Sequence, residues 1–257
     1  MSRERLYRIG LPIASVTVFL IIWSVYVHSA DVSAFVLPPP EKILVALSQM
    51  ITEPKLWHHA RITATEAISG FLIATFIGVG LGFTMARFPP VEWAAKPFIV
   101  CLQLIPKIAL APLFILWFGF GLESKIVIAA ALSFFPVFSN SLVAFKSVEP
   151  GDKDVLTMLQ AKSWQRFTLL ELPSALPVIL AGAEVAVVLA MIGAIVGEFI
   201  GGNEGLGYLA VAYLQDLAVA ELFGTIVILT LVGLVLYGLI SQLRAWLTPW
   251  HVSNKKA

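Results

Sequence analysis

Residues 175–200 read ALPVILAGAEVAVVLAMIGAIVGEFI, and this run decides the class of fold. Its only ionisable side chains are Glu184 and Glu198. About 20 apolar residues are enough for a helix to cross a bilayer. The composition agrees: 59% of the 257 residues are apolar and 13% are charged, with a mean hydropathy of +0.90, whereas soluble domains carry about 25% charged residues. We therefore expect an all-α integral membrane protein.

Apolar runs of similar length recur along the chain and predict about six transmembrane helices. They lie near residues 10–28, 60–86, 97–119, 125–145, 175–200 and 222–246. The first run follows a basic segment, as the core of a secretory signal peptide does, but it is longer than the roughly 7–15 residues of such a core. A retained N-terminal helix is the interpretation that fits better.

The distribution of Lys and Arg predicts the orientation, because basic residues near helix ends are held on the cytoplasmic side. With the N-terminus inside, twelve basic residues lie in cytoplasmic segments: Arg3, Arg5, Arg8, Arg87, Lys96, Lys146, Lys153, Lys162, Arg166, Arg244, Lys255 and Lys256. The four outside are Lys42, Lys55, Arg61 and Lys125. Both termini are thus expected in the cytoplasm. The expected divisions are a first helix over 1–30, an extracytoplasmic segment over 31–59, a five-helix core over 60–246 and a cytoplasmic tail over 247–257.

The extracytoplasmic segment contains a candidate amphipathic helix. Prolines at 38–40 stiffen the chain and can occupy a first helical turn. Apolar side chains then recur at helical spacing, at Ile43, Leu44, Leu47, Met50 and Ile51. This spacing predicts a helix lying on the outer face of the membrane. The alternative is an irregular loop.

The connection over residues 146–171 is the most polar part of the chain, yet apolar side chains are interleaved with its charges. These are Val155, Leu156, Leu159, Trp164, Phe167 and Leu170. A solvated loop has no need of a Trp and a Phe at helical spacing. The pattern therefore predicts two short helices, joined near residues 160–163, that insert apolar side chains into a partner's groove.

This loop resembles the signature of ABC importer permeases, which is Glu-Ala-Ala, three residues, Gly, nine residues and Ile-x-Leu-Pro before the second-last helix. Residues 154–173 keep that spacing, with Gln160 in place of the usual Gly. A non-Gly residue pays roughly 1 kcal/mol for positive φ, so the turn is expected to differ locally. The resemblance implies an ATPase-coupling loop of residues 146–173 with contacts from Asp154, Leu156, Leu159, Gln160, Ala161, Trp164, Phe167, Leu172 and Pro173.

Further segments resemble the nitrate, sulfonate, taurine and bicarbonate branch of these permeases, over roughly residues 35–245. They are residues 37–40, 105–113, 117–121, 172–177 and 197–208. The resemblance implies a type I importer permease fold. It also implies a homodimer that works with two cytoplasmic ATPase subunits and an extracytoplasmic substrate-binding protein. The cargo stays open between an anion such as nitrate, a sulfonate or taurine, and a pyrimidine-like or aromatic compound.

The sequence argues against several other roles. It has no Gly-x-x-x-x-Gly-Lys-Ser/Thr loop, so no cofactor is expected on this chain, and ATP and Mg are expected on the partner ATPases. The net charge of +1 argues against nucleic acid as a partner. His28, His58, His59, His251 and Cys101 form no cluster at ligand or triad spacing, so neither a metal site nor an enzyme is expected. The alternative function is a secondary transporter or channel without an ATPase partner.

Polar groups and prolines inside the predicted spans are candidates for the substrate pathway, since ionisable residues at membrane depth are expensive. The candidates are Gln103, Pro106, Lys107, Glu184 and Glu198. Pro106 and Pro112 should kink the third span and free backbone carbonyls. Lys107 and Glu184 lie about ten residues from cytoplasmic helix ends and should share a depth. They could form a buried pair, Lys107 could anchor an anion unpaired, or neither. Glu198 could alternatively be a helix-end carboxylate that binds backbone amides.

Overall fold

The structure is a computed structural model that describes residues 3–250, with side chains from residue 10 onward. Within that part of the chain every regular element is helical. Five of the basic residues counted for the orientation have side chains that the structure does not describe: Arg3, Arg5, Arg8, Lys255 and Lys256. His251 and most of the expected tail also lie outside the described residues.

The α-helices follow one another in the order α1 (Arg3–Ser29), α2 (Pro40–Thr52), α3 (Pro54–Arg87), α4 (Pro89–Leu104), α5 (Ala111–Phe118), α6 (Leu122–Lys146), α7 (Pro150–Met158), α8 (Ser163–Arg166), α9 (Leu172–Gly201), α10 (Leu206–Gln215) and α11 (Val219–Leu247). Five helices are long and apolar enough to span a membrane, namely α1, α3, α6, α9 and α11. Taken together as one bent unit, α4 and α5 are a sixth candidate span. The prediction of about six spans is confirmed.

The third span is broken at Pro106, as predicted. Helix α4 ends at Leu104, a 3-10 turn covers Lys107–Leu110, and α5 starts at Ala111, so that the two arms differ in direction by 84°. Proline has no backbone N–H and disfavours helix at the residue before it, which explains why α4 stops there. A kink was expected at Pro112 as well, but this residue lies in the first turn of α5, where proline is tolerated.

The core is built around α6, which packs between α3 and α9 through small residues. A methyl group on Gly70 of α3 would lie 2.9 Å from the backbone nitrogen of Ala130, and one on Gly193 of α9 would lie 2.6 Å from Cα of Ala129. Such close approach of helices is typical of membrane bundles, where packing rather than a hydrophobic driving force holds helices together.

Helix α2 confirms the predicted helix in the 31–59 segment. Ile43, Ala46 and Met50 are buried, while Leu44 is 64% exposed. The sulfur of Met50 lies against α11, 3.0 Å from where a methyl group on Gly224 would be. One side of the amphipathic helix therefore packs on the bundle itself.

The bundle has two ends, which we name by their contents. At the loop end, α3 and α6 finish, α9 begins, and residues 147–171 connect α6 to α9. At the opposite end, α3 and α6 begin, α9 finishes at Gly201, and the short helix α10 follows.

Candidate functional site

The loop end contains the two short helices that the sequence predicts. Helix α7 is followed by a turn in which Gln160 has a φ of +55°. The N–H of Gln160 donates to the carbonyl of Thr157 at 2.9 Å, and that of Ala161 donates to the carbonyl of Leu156 at 2.9 Å. Gln160 thus takes the left-handed conformation that glycine adopts readily, at the position where the signature has Gly, so the local difference expected for this turn is not seen.

The second short helix is not a separate element. Helix α8 has a single turn and continues through a π-helical turn, Phe167–Glu171, into α9. A π turn inserts one extra residue per turn and re-aims the side chains around it. As a result, the loop is continuous with the longest apolar span, Ser163–Gly201.

The predicted coupling residues divide into an outward-facing and an inward-facing group. Leu159 is 70% exposed and Trp164 is 63% exposed, and Met158 beside them is 83% exposed. Leu172 and Pro173, in contrast, are partly buried at the start of α9. The outward group forms an apolar surface that nothing in the chain covers within residues 3–250.

Phe167 belongs to the inward group and joins the loop to the ends of two spans. Its ring centroid lies 5.2 Å from that of Phe83 in α3 and 6.5 Å from that of Phe145 in α6. Phe83 and Phe145 are 5.1 Å apart. Close by, Arg87 pairs with Glu171 at 3.5 Å. A displacement of the loop would therefore act directly on the ends of α3 and α6.

In the broken span, Lys107 is the first residue of the 3-10 turn and its Nζ lies 4.4 Å from the centroid of the Phe135 ring. That distance is within the range of a cation–π interaction. None of the ion pairs found among the described side chains includes Lys107.

The candidate pair between Lys107 and Glu184 is not formed. The carboxylate of Glu184 accepts a hydrogen bond from Arg244 of α11 at 2.9 Å. Counting residues along a straight third helix placed Lys107 at the depth of Glu184, but the 84° bend invalidates that count. Arg244 had been assigned to a cytoplasmic segment. Its long side chain instead extends to the carboxylate of Glu184.

Gln103 lines an open cleft of about 260 Å³ between α4 and α6. Lys96 lies on the same wall, and Phe138 and Ser139 of α6 form the other. Phe138 stacks on Phe134 with centroids 5.5 Å apart. Phe138 and Ser139 are three and four positions after Phe135 in α6, so the cleft and the cation–aromatic contact lie along the same side of that helix.

At the opposite end, Glu198 lies in the last turn of α9 and is bonded within the chain. Its carboxylate accepts a hydrogen bond from the hydroxyl of Thr63 at 2.6 Å and another from the N–H of Gly207. Only 1% of Glu198 is exposed. The sequence analysis left open that Glu198 is a helix-end carboxylate that binds backbone amides. Its bond from the N–H of Gly207, at the start of α10, is of that kind.

Two further charged residues beside Glu198 were missed. Glu66 is fully buried, and Lys125 is 5% exposed with its Nζ 3.8 Å from the Glu66 carboxylate. Lys125 had been counted among the outer loop residues because it stands at the edge of an apolar run. Glu66 interrupts the run 60–86, and that interruption is the one signal that could have identified it.

Comparison with known proteins identifies the family. Residues 74–251 match the model of the binding-protein-dependent transport system inner membrane component. The chain belongs to this family of ABC transporter permeases. It is therefore an ABC importer permease component for small solutes, and a multi-pass inner membrane protein.

The relatives extend over almost the whole chain. The riboflavin transport system permease protein of Chloroflexus aurantiacus is 35% identical over 95% of this chain and 91% of its own length. The formylaminopyrimidine transport permease protein of Halalkalibacterium halodurans is 33% identical over 96% and 98%. The taurine transport system permease protein of Escherichia coli is 28% identical over 95% and 90%.

A solved structure has the same fold as this permease. It is a chain of the MetNI methionine ABC transporter in an inward-facing conformation, with a TM-score of 0.60. The match covers 76% of this chain and 94% of that chain at 18% identity. The expected ABC importer permease fold is confirmed.

Proposed function

We propose that two copies of this permease form the membrane channel of an ATP-driven importer, with two ATPase subunits at the loop end and a solute-binding protein at the opposite end. The observation that carries the proposal is the uncovered apolar surface of Met158, Leu159 and Trp164 within a charged loop. Apolar side chains on short helices are suited to a partner's hydrophobic groove. The partner ATPases, rather than this chain, bind ATP and Mg.

The proposed orientation puts the loop end in the cytoplasm. Arg87, Lys146 and the charged residues of 147–171 lie at that end, and basic residues near helix ends favour the cytoplasmic side. Both termini of the chain are cytoplasmic in this arrangement. The opposite end, with α10, then meets the binding protein.

The proposed solute contacts are Gln103, which lines the cleft between α4 and α6, and Lys107 in the 3-10 turn that follows α4. An ammonium group that has an aromatic ring and no carboxylate as its neighbour can bind acceptor oxygens of a solute, and Phe135 offers a flat apolar surface beside it. These features favour a planar heterocycle with acceptor oxygens, the class of the solutes named for the riboflavin and formylaminopyrimidine relatives. A small sulfonate such as taurine is the other candidate.

Co-purification with an ATPase tests the function. The permease is co-expressed with a tagged candidate ABC ATPase from the same organism, and the amount of permease retained is measured for Trp164→Ala and Leu159→Asp. Both variants should lose most of the retained permease, because each removes an apolar contact from the loop. The matched control is Leu217→Asp, which alters an equally exposed leucine (64%) at the opposite end.

Retention of both loop variants at the wild-type level would contradict the docking role. Solute uptake by the permease alone in proteoliposomes, driven by an ion gradient without ATPase, would instead support a secondary transporter.

A further inference from the structure

A groove lies beside the three aromatic side chains that join the loop to α3 and α6. Phe83, Phe145 and Phe167 line an open apolar cavity of about 660 Å³. Most of the remaining lining comes from α3, at Thr75, Phe76, Val79, Gly80 and Leu81. Phe76 is 84% exposed, and a methyl group on Gly80 would meet no atom within 4 Å. The groove is therefore open to the surroundings of the bundle.

A polar cavity continues the groove at the loop end. It measures about 230 Å³ and shares Phe83 and Phe145 with the apolar one. Its charged lining consists of Arg87 of α3, Lys153 of α7 and Glu171. Glu171 pairs with Arg87 at 3.5 Å, whereas Lys153 is absent from the ion pairs identified among the described side chains. With two cations and one carboxylate, the cavity has a formal charge of +1.

The two cavities together extend over the depth of one membrane leaflet. Phe76 and Arg87 are eleven residues apart on α3, which is roughly 16 Å at 1.5 Å per residue. The hydrocarbon of one leaflet is about 15 Å deep, half of the bilayer core. An apolar groove of that length with two cations at its end matches an acyl chain that ends in a phosphate. Basic pockets between spans are a known way of binding anionic headgroups.

We propose that this groove is a binding site for one anionic phospholipid, with an acyl chain along α3 and the phosphate between Arg87 and Lys153. A phosphatidylcholine fits less well, because its ammonium group would add to the positive charge of the cavity. Since Lys153 belongs to the loop and Arg87 to a span, a phosphate bound by both ties the loop to α3. The site belongs to the permease alone and needs no ATPase, although Trp164 lines an adjoining opening with Arg87.

Native mass spectrometry of the full-length permease, with no partner present, tests the proposal. The purified, delipidated chain in detergent is mixed with equal amounts of palmitoyl-oleoyl phosphatidylglycerol and phosphatidylcholine, and the fraction of permease that retains each lipid is measured. Wild type should retain phosphatidylglycerol about fivefold more than phosphatidylcholine, the factor expected from one basic residue near a headgroup. Lys153→Gln should abolish this preference, and it leaves the pair of Arg87 with Glu171 in place.

Two results with the wild-type chain would overturn the proposal. Equal retention of the two lipids would mean that the cavity does not select the headgroup. Retention of neither lipid would leave the groove to another occupant, such as a second copy of the chain.

The matched control for the charge is Lys162→Gln. Lys162 lies in the same loop and is exposed, and it lines neither the two cavities nor the adjoining opening. This change should leave the preference for phosphatidylglycerol unaltered. An equal loss of preference in Lys162→Gln and Lys153→Gln would overturn the site in favour of diffuse attraction between the loop and anionic lipid.

The apolar part of the site is tested by filling the groove. Gly80→Leu places a side chain in open space there and should reduce retention of phosphatidylglycerol several-fold. The matched control is Gly238→Leu on α11, where an added methyl group also meets no atom within 4 Å but the groove is not lined. It should retain the wild-type amount of lipid.

The midpoint of thermal unfolding, measured without added lipid, checks that both glycine variants are folded. A folded Gly80→Leu that retains as much phosphatidylglycerol as Gly238→Leu would overturn the placement of the acyl chain. Failure of the permease to bind an ATPase in the co-purification experiment would refute the proposed function and leave these lipid measurements intact.

Discussion

The two ends of this permease handle their polar and apolar groups in opposite ways. At the loop end, charges lie in the loop and large apolar side chains such as Trp164 are exposed. At the opposite end, charges such as Glu198 are buried and bonded to the start of α10. The loop end leaves large apolar side chains exposed, as the proposed docking of an ATPase requires, whereas at the opposite end the buried polar groups around Glu198 find their partners within the chain. Substitutions at the loop end should therefore alter association, and those at the opposite end should alter stability.

The largest expected effect is at Glu198. Glu198→Leu leaves the Thr63 hydroxyl and the Gly207 N–H without an acceptor in a buried site, which should lower the free energy of unfolding by about 3 kcal/mol. Glu198→Gln keeps one acceptor oxygen and should lose less. Chemical denaturation of the purified permease in detergent measures both.

Glu149→Gln in the exposed loop is the control for charge removal, and it should change stability by less than about 0.5 kcal/mol. If Glu198→Leu were no worse than Glu149→Gln, the description of the opposite end as held by buried polar bonds would be incorrect.

Two glycines should respond to alanine with opposite signs. Gly205 has a φ of +103° and touches the Glu198 carboxylate, so Gly205→Ala should destabilise the permease by roughly 1–3 kcal/mol. Gly151 lies in α7 with no atom within 4 Å of an added methyl group, so Gly151→Ala should stabilise by about 0.5 kcal/mol through helix propensity. Midpoints of thermal unfolding give the two signs, and a shared sign would remove this contrast between the ends.

Within the loop, Trp164 and Phe167 separate docking from anchoring. Trp164→Ala should leave the stability of the isolated permease unchanged and reduce binding of the ATPase, because the side chain is 63% exposed. Phe167→Ala breaks ring contacts with Phe83 and Phe145 and should destabilise by about 1–3 kcal/mol.

The second readout of this pair is the coupling of ATP hydrolysis to transport. In reconstituted complexes Phe167→Ala should retain the ATPase and transport less solute per ATP hydrolysed, since the loop then contacts α3 and α6 less firmly. Loss of ATPase binding in Phe167→Ala with unchanged stability would show that both aromatic residues face the partner.

Sequence patterns predicted the elements whose signal is local. Run lengths gave the spans, apolar spacing gave α2 and the first loop helix, and Pro106 gave the break in the third span. Each of these depends on residues close together in the chain, where periodicity and proline chemistry act directly. Even Gln160, at the glycine position of the signature, was placed in the correct turn.

Contacts between distant residues were not predictable in the same way. Lys125 stands at the edge of an apolar run, and only the packing of α3 against α6 shows that it faces Glu66. The candidate pair of Glu184 with Lys107 does not form because Arg244, sixty positions away, reaches Glu184 from α11. The position of a polar residue within a predicted span indicates its approximate depth in the membrane. It does not indicate which side of the helix the residue occupies, or the angle at which a broken span bends.

A small effect on stability is expected at Lys107, and the measurement there separates a structural contact from a solute contact. The cation–π contact with Phe135 is half-exposed, so it should contribute about 0.5–1 kcal/mol. A double-mutant cycle of Lys107→Gln and Phe135→Leu should give a coupling of that size in unfolding experiments. If Lys107 also binds the solute, transport of riboflavin or taurine by the reconstituted complex should fall at least tenfold in Lys107→Gln, far more than the stability change accounts for. Lys96→Gln, on the same wall of the cleft and without an aromatic contact, is the matched control. Equal transport by the two variants would leave Lys107 with a structural role alone, and would move the search for the solute contact away from the broken span.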